Sequence, residues 1–303
     1  MPLDQTRRVF CVATASIIMS GGVPAWAKEA RAKLSAQSIQ AAQSAMQALE
    51  ARNGGRLGVV ALDTGTGQRI SYRANERFSM CSTHKFLTVA AILALSDRGR
   101  LRLNQPVPYG QANILSYAPI TKAHLRAGSM TVGALCAAAI EWSDNTAANL
   151  LLKLIGGPAG WTGFARSIGD HESRLDHNEP TLNAAIPQDP GDTTTPAAMV
   201  HDINAILLGH VLSSQSRLML QNWMLDNQIT NRLLRAELPK EWRIADKSGS
   251  GEHGTRNDIG LILPPSPRHP IIAAVYYTES PEPAPERDAL IAETGRIIAR
   301  TFA

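Results

Sequence analysis

The chain has 303 residues, of which 44% are hydrophobic and 18% are charged, and its formal net charge is +4. This composition is typical of a globular protein with one large domain or two closely packed ones. The basic residues are spread along the chain, so the sequence argues against a nucleic-acid partner. Beyond the first 27 residues no apolar run is long enough to span a membrane, and we expect no membrane anchor in the mature protein.

Residues 1–27 have the pattern of a secretory signal peptide. Arg7 and Arg8 precede a short apolar stretch, and small residues around Ala27 favour cleavage after it. The arginine pair also resembles a twin-arginine export signal, and the sequence leaves both routes open. We therefore expect a periplasmic protein, or a secreted one where there is no outer membrane.

The elements predicted in chain order begin with an alanine-rich helix over 30–52 and strands over 56–63 and 68–73. Helical patterns and polar, proline-rich stretches then alternate. The predicted helices cover 82–97, 131–140, 145–155, 195–212 and 214–228, and the irregular stretches are 100–130 and 170–195. The chain closes with predicted strands over 242–248, 258–263 and 271–277 and a helix over 286–302.

This order of elements predicts an α/β fold in two lobes. Strands at both ends imply that the termini share one antiparallel sheet, which is flanked by helices, and that the helices between them form an inserted all-α lobe. We assign 28–80 and 226–303 to the α/β lobe and 81–225 to the all-α lobe. A cleft between the lobes is the expected place for a functional site.

Ser82 and Lys85 start the helix predicted over 82–97. Residues three apart at a helix start share one face, so a lysine shielded from water can take the proton of the serine. Taken alone, the pair is better explained as the start of a capped core helix with an ordinary serine. Three later stretches add to it: Ser143-Asp144-Asn145, Glu179 to Asn183, and Lys247-Ser248-Gly249.

This ordered set resembles the signature of the class A serine β-lactamases, with Ser248 in the place of a threonine. The resemblance extends from about residue 36 to residue 303 and includes the run 142–149. It implies a serine β-lactamase or penicillin-binding-protein-like fold. It also implies hydrolysis of the β-lactam amide of penicillins and cephalosporins through an acyl-serine intermediate, which confers β-lactam resistance. No cofactor and no metal are expected.

The resemblance also implies a role for each motif residue. Ser82 is the nucleophile, Lys85 accepts or relays its proton, Ser143 protonates the departing nitrogen, and Glu179 activates water. The implied substrate-binding residues are Tyr117, Asn145, Asn183, Lys247, Ser248, Gly249, Ser250 and Arg256. The residue type of Asn145 also suits the N-cap of the helix over 145–155. β-Lactam substrates and inhibitors are the expected partners of a monomeric protein.

Glu179, paired with Asn183, separates this function from two alternatives. D-alanyl-D-alanine peptidases and penicillin sensors share the serine and lysine motifs but lack this glutamate, so they stay acylated by the drug. A metal site in the stretch 170–195, which is rich in His, Asp and Glu, is disfavoured. Neither the histidine–glutamate helical spacing of zinc hydrolases nor a cysteine pair is present.

The sequence departs from the family at two places. Val89 stands where many relatives have the cysteine that bridges the Cys136 position, so we expect Cys81 and Cys136 to be free, buried thiols. His177 stands where most relatives have an arginine that pairs with an aspartate, here Asp192. The imidazole of His177 either forms this pair and closes the loop or points to solvent.

Overall fold

The computed structural model describes residues 36–303, and this part of the chain contains nine strands. They are β1 (Arg56–Asp63), β2 (Arg69–Tyr72), β3 (Phe78–Ser79), β4 (Pro106–Pro108), β5 (Ser129–Thr131), β6 (Thr193–Thr194), β7 (Arg243–Ser250), β8 (Arg256–Leu263) and β9 (Ile271–Thr278). Five of them form an antiparallel sheet in the order β2-β1-β9-β8-β7. The sheet therefore joins both ends of the chain, as predicted. The proposed signal peptide lies outside the described residues.

Nine α-helices accompany the strands in residues 36–303. They are α1 (Ala36–Asn53), α2 (His84–Asp97), α3 (Pro119–Ala123), α4 (Val132–Glu141), α5 (Asn145–Leu154), α6 (Gly157–Ser167), α7 (Pro196–Ile203), α8 (Ser214–Leu225) and α9 (Ala284–Phe302). Short 3-10 turns cover Cys81–Thr83, Gln111–Asn113, Leu125–Ala127, Thr181–Ala184 and Leu234–Glu237, and a π turn covers Asn204–Leu208. None of the described helices is long and apolar enough to cross a membrane.

The helices differ from the prediction at several places. Helix α3 lies in the stretch 100–130 that was expected to be irregular, and α7 ends at Ile203 and not near residue 212. No helix was predicted after residue 155, but α6 begins at Gly157. Pro158 lies in its first turn, where a missing backbone N–H breaks no helical hydrogen bond. The N-cap of α5 is Asp144 and not Asn145: a carboxylate oxygen of Asp144 accepts the backbone N–H of Ala147 at 2.8 Å.

The two faces of the sheet bury separate hydrophobic cores. Side chains of β9 alternate between them, as the pleat of a strand requires. Ile272, Ala274 and Tyr276 belong to the core shared with the central helices, whereas Ala273 and Val275 belong to the core that includes residues of α1 and α9. The lobe boundaries near residues 81 and 225 stay a prediction.

The edge strand β7 lies close to the turn Cys81–Thr83 that precedes α2. Gly249 makes this approach possible, because a Cβ atom there would lie 2.7 Å from the carbonyl oxygen of Met80 and 3.2 Å from the Thr83 side chain. A side chain on Gly249 would therefore push β7 away from the start of α2. The sheet edge and the helix start, which carry the predicted motifs, meet at this point.

Candidate active site

Ser82 lies in the 3-10 turn directly before α2. The preceding residue, Cys81, has a φ of +47°, in the left-handed region that a non-glycine residue rarely adopts. Such strained backbone is held only where surrounding structure enforces it, and it is frequent at active sites. The Ser82 hydroxyl accepts a hydrogen bond from Lys85 Nζ at 2.9 Å, so the predicted contact within one turn is present.

Lys85 is fully buried among oxygen atoms. Besides Ser82, its Nζ contacts the Ser143 carbonyl oxygen at 2.8 Å, Ser143 Oγ at 3.2 Å, Asn145 Oδ1 at 2.6 Å and Glu179 Oε1 at 3.0 Å. Burial lowers the pKa of Lys85 below its usual value, and the charge of Glu179 offsets part of that effect. An ammonium with a lowered pKa and several acceptors is suited to passing protons between them.

Glu179 is the buried carboxylate of the site. Burial alone would raise its pKa, but the positive charge of Lys85 and the contact with His84 outweigh burial and lower it. Its Oε1 accepts the Ser82 hydroxyl at 3.3 Å, and its Oε2 accepts a short hydrogen bond from Asn183 Nδ2. Glu179 is therefore ionised at neutral pH and can accept a proton.

The backbone of Glu179 is fixed by Asn149 on α5. Asn149 Nδ2 donates to the Glu179 carbonyl oxygen at 2.8 Å, and the Glu179 N–H donates to Asn149 Oδ1 at 2.9 Å. These two bonds attach the irregular segment 170–195, which we call the active-site loop, to a helix of the core. The position of the carboxylate is thus set by α5 as well as by the loop.

His177 and Asp192 close the active-site loop, as one of the two sequence hypotheses proposed. His177 Nδ1 lies 2.7 Å from Asp192 Oδ2, and Asp192 Oδ1 accepts the backbone N–H groups of Asp176 and His177 at 2.8 and 2.9 Å. The hydrogen bond to Asp192 raises the pKa of His177 above its usual value. The histidine thus forms the pair with Asp192 that the first of these hypotheses describes.

Ser143 lies between the two lysines of the site. Its Oγ is 3.2 Å from Lys85 Nζ and 3.1 Å from Lys247 Nζ, and its φ is +56°. Lys247 is fully buried, and burial followed by the nearby charge of Lys85 lowers its pKa well below the usual value. The two lysines can therefore pass a proton to or from this hydroxyl.

A cavity of about 370 Å³ opens above these groups. It is lined by Ser82, Tyr117, Ser143, Asn145, Asn183, Ile229, Ser248, Ser250 and Arg256. All of these except Ile229 were predicted from the sequence. Of the other predicted residues, Lys85, Glu179 and Lys247 are connected to the lining by hydrogen bonds, and Gly249 provides the close approach of β7. The structure thus brings the whole predicted set together.

Arg256 is directly opposite Ser250 in the pairing of β8 with β7, which places it beside the strand that carries Lys247. Its Nε is held by Asp288 Oδ1 of α9 at 2.6 Å. Tyr117 is 46% exposed, and its carbonyl oxygen accepts the backbone N–H of Asn145 at 3.1 Å. An arginine and an exposed aromatic ring therefore both border the cavity.

Sequence reasoning missed four residues of this site: His84, Asn149, Ile229 and Asp288. Two of them left a visible signal: His84 is an ionisable residue between the nucleophile and Lys85, and Asn149 ends the run 142–149 that carries part of the resemblance. The thiols of Cys81 and Cys136 are free and buried. Among residues 36–303 no group of three or more His, Cys, Asp and Glu side chains could hold a metal ion.

The sequence of this chain is similar to those of known β-lactamases. The family model described as "Beta-lactamase enzyme family" matches residues 41–302. Beta-lactamase CTX-M-97 of Escherichia coli is 43% identical over 260 residues, which cover 86% of this chain and 89% of that protein. Beta-lactamase AER-1 of Aeromonas hydrophila is 43% identical over 265 residues, 88% of this chain and 86% of that protein.

Solved structures give the same result for the fold. The structure titled "Ancestral (GNCA) Beta-lactamase class A" superposes with a TM-score of 0.85 at 52% identity, covering 86% of this chain and all of that one. A putative class A β-lactamase from Rhodopseudomonas palustris superposes with a TM-score of 0.84 at 45% identity, covering 86% of this chain and 99% of that one.

Proposed function

The chain belongs to the class A serine β-lactamases, which hydrolyse β-lactams and confer resistance to them, and from that premise we propose which residues carry out its reaction. The observation that supports the assignment is one cluster of three groups. Lys85 Nζ lies 2.9 Å from Ser82 Oγ and 3.0 Å from Glu179 Oε1, and the two oxygen atoms lie 3.3 Å apart. A nucleophile, a proton carrier and a base are thereby within direct reach.

In the first half-reaction Ser82 Oγ attacks the carbonyl carbon of the lactam ring. The hydroxyl proton passes to Lys85, or to Glu179, since both lie within reach. The C–N bond of the ring breaks, and Ser143 delivers a proton to the leaving nitrogen and is resupplied by Lys85 or Lys247. We assign the oxyanion to the backbone N–H groups of Ser82 and Ser250, as the resemblance implies.

In the second half-reaction a water molecule attacks the acyl carbon. Glu179 takes a proton from the water, the bond from the acyl carbon to Ser82 Oγ breaks, and a proton returns to Oγ. Asn183 Oδ1 supports this role, because it is buried and accepts no hydrogen bond from the described residues, so it can accept one from water. A peptidase or sensor without this glutamate would stop at the acyl-enzyme.

The substrate carboxylate is assigned to the end of the cavity at Ser248, Ser250 and Arg256. The planar guanidinium of Arg256 matches a carboxylate, and its anchor to Asp288 fixes its orientation. Tyr117 and Asn145 line the same cavity and would contact the ring and its acylamide side chain. Lys247 contacts the Ser248 carbonyl oxygen at 2.8 Å and so lies next to this end.

We propose that the protein acts in the periplasm as a monomer without a membrane anchor. The signal-peptide pattern of residues 1–27 supports export. We also propose the division into an α/β lobe (28–80 and 226–303) and an all-α lobe (81–225) with the site between them. Helices α2 to α8 all lie between β3 and β7 in the chain, which supports this division.

Replacing Glu179 by glutamine tests the assignment. The variant should still be acylated, so intact-protein mass spectrometry after addition of benzylpenicillin should show a persistent adduct that the wild type clears. Ser82→Ala is the matched control and should show no adduct. Turnover of Glu179→Gln at the wild-type rate, or an adduct on Ser82→Ala, would show that the roles are assigned wrongly.

A further inference from the structure

We propose that His84 is a positioning residue for the general base, holding one oxygen of Glu179 while the other is left for the hydrolytic water. The inference rests on the proposed role of Glu179 in deacylation. His84 is the first residue of α2, between the nucleophile and Lys85. It is fully buried, and its Nε2 lies 3.4 Å from Glu179 Oε1.

The groups around His84 favour a proton on Nε2, because this nitrogen faces a carboxylate oxygen, which can only accept. Nδ1 lies 3.2 Å from Thr88 Oγ1, one turn further along α2. Thr88 Oγ1 also lies 3.1 Å from the His84 carbonyl oxygen, but this oxygen already accepts the Trp161 Nε1–H at 3.0 Å, so the Thr88 hydroxyl can donate to Nδ1 instead. With Nδ1 as acceptor, the proton of a neutral ring is on Nε2 and is donated to Glu179. The other neutral tautomer would point a lone pair of Nε2 at Oε1.

The charges near His84 favour this neutral donor. Burial lowers its pKa, and the contact with Glu179 raises it by a smaller amount. The nearby charges of Lys85 and Lys247 lower its pKa further. A protonated ring would also donate from Nε2, so both charge states keep this contact with Glu179.

The donors around Glu179 divide its two oxygens between two tasks. Oε1 receives Lys85 at 3.0 Å, Ser82 at 3.3 Å and His84 at 3.4 Å, whereas Oε2 receives Asn183. Acylation changes this set. The Ser82 oxygen becomes an ester oxygen and has no hydrogen to donate, and Lys85 exchanges its protons during the reaction.

Among the three donors to Oε1, His84 is therefore the one whose N–H is unchanged in the acyl-enzyme. It keeps Oε1 turned inward when the contact with Ser82 has been lost. Oε2 then stays beside Asn183, where the hydrolytic water is expected. His84 takes up no proton in this step, and its effect is on the orientation of the carboxylate.

The test compares variants that keep or remove this donor. His84→Phe retains an aromatic ring and removes the N–H, whereas His84→Gln places an amide N–H near the position of Nε2. Single-turnover kinetics with benzylpenicillin should show deacylation of His84→Phe slowed about tenfold, the low end for losing a hydrogen bond to a charged group, with acylation nearly unchanged. Because deacylation then limits turnover, kcat and KM should fall together, and His84→Gln should recover most of the loss.

Two further variants distinguish the positioning role from a general loss of stability. His84→Asn has a shorter side chain, whose amide reaches the place of Nδ1 but does not reach Glu179. Its deacylation should therefore be as slow as that of His84→Phe, even if its melting temperature equals that of His84→Gln. Thr88→Val should reduce deacylation less than His84→Phe does. It should have no further effect when combined with His84→Phe, since its hydroxyl acts through the ring.

The outcomes separate this inference from the proposed function. If Glu179→Gln traps the adduct but His84→Phe deacylates at the wild-type rate, the positioning role is wrong and the role of Glu179 stands. If His84→Gln and His84→Asn lose the same activity, or acylation and deacylation fall equally in both, the positioning role is also wrong. If Glu179→Gln releases the acyl group, the proposed mechanism itself fails.

Discussion

The pair of His177 and Asp192 makes the closure of the active-site loop dependent on pH. The hydrogen bond to Asp192, together with the charges of Asp192, Asp176 and Asp189, raises the pKa of His177 in the folded protein. Its unfolded pKa is about 6.5. The stabilisation from the pair is therefore fully present below about pH 6.5 and is lost as the pH rises through the folded pKa. We predict a looser loop at alkaline pH.

The size of this effect follows from exposure. The His177 side chain is 52% exposed, so its ion pair is screened by solvent and contributes about 0.2–1 kcal/mol. Since 1.4 kcal/mol corresponds to a factor of ten, loss of the pair should increase loop opening by a factor of about 1.4–5. Asp192 is buried and also accepts two backbone N–H groups. Removing it should therefore increase opening tenfold or more, at about 1–3 kcal/mol for each unsatisfied group.

Hydrogen exchange across residues 176–192 measures this opening. We expect the wild type to exchange a few-fold faster at about pH 8.5 than at about pH 6, after correction for intrinsic rates. His177→Arg is the matched control, because a guanidinium keeps its charge over this range, and it should show equal protection at both values. Asp192→Ala should exchange much faster than either protein at both values.

Equal protection of the wild type at both pH values would refute the reasoning, since the charge on His177 would then have no effect on the loop. A pH effect of the same size in His177→Arg would also refute it, because another group would be responsible. Unchanged exchange in Asp192→Ala would show that the loop is closed by other contacts.

Two further predictions concern Arg256 and the thiols. Arg256→Ser should reduce kcat/KM for benzylpenicillin about tenfold or more, because it loses a charged contact worth about 1.5–3 kcal/mol. Asp288→Asn should reduce kcat/KM by a smaller factor. Steady-state kinetics measures both effects. Burial raises the pKa of Cys81 and of Cys136, so the native protein should react with a thiol reagent only at the rate at which it unfolds. Both thiols should react at once in denaturant. Fast reaction of the native protein would contradict the buried, protonated state.

The parts of the fold and site that depend on local chemistry could be predicted from the sequence. The bounds of β1 match the predicted strand, because its hydrophobic run is ended by Asp63 and a glycine-containing turn. The contact of Ser82 with Lys85 follows from helix geometry and from their spacing. Helix α6 was missed because Gly156 and the proline after it signal a helix end as strongly as a helix start.

The parts that depend on distant contacts could not be predicted in this way. Asp288 reaches Arg256 from the last helix, and Asn149 reaches Glu179 from α5, at separations for which one sequence carries no local pattern. His84 shows the same limit. Its residue type was visible, but its contact with Glu179 depends on how the active-site loop folds over α2.

The attachment of Glu179 to Asn149 has a consequence for how this enzyme can evolve. Because a core helix holds the backbone of the base by two hydrogen bonds, the exposed stretch around Ile186, between Asn183 and Asp192, contributes neither of these bonds. We therefore expect the hydrolytic step to tolerate substitutions and small insertions in this stretch. Selection by new antibiotics can thus act on one half of the loop without first passing through an inactive protein.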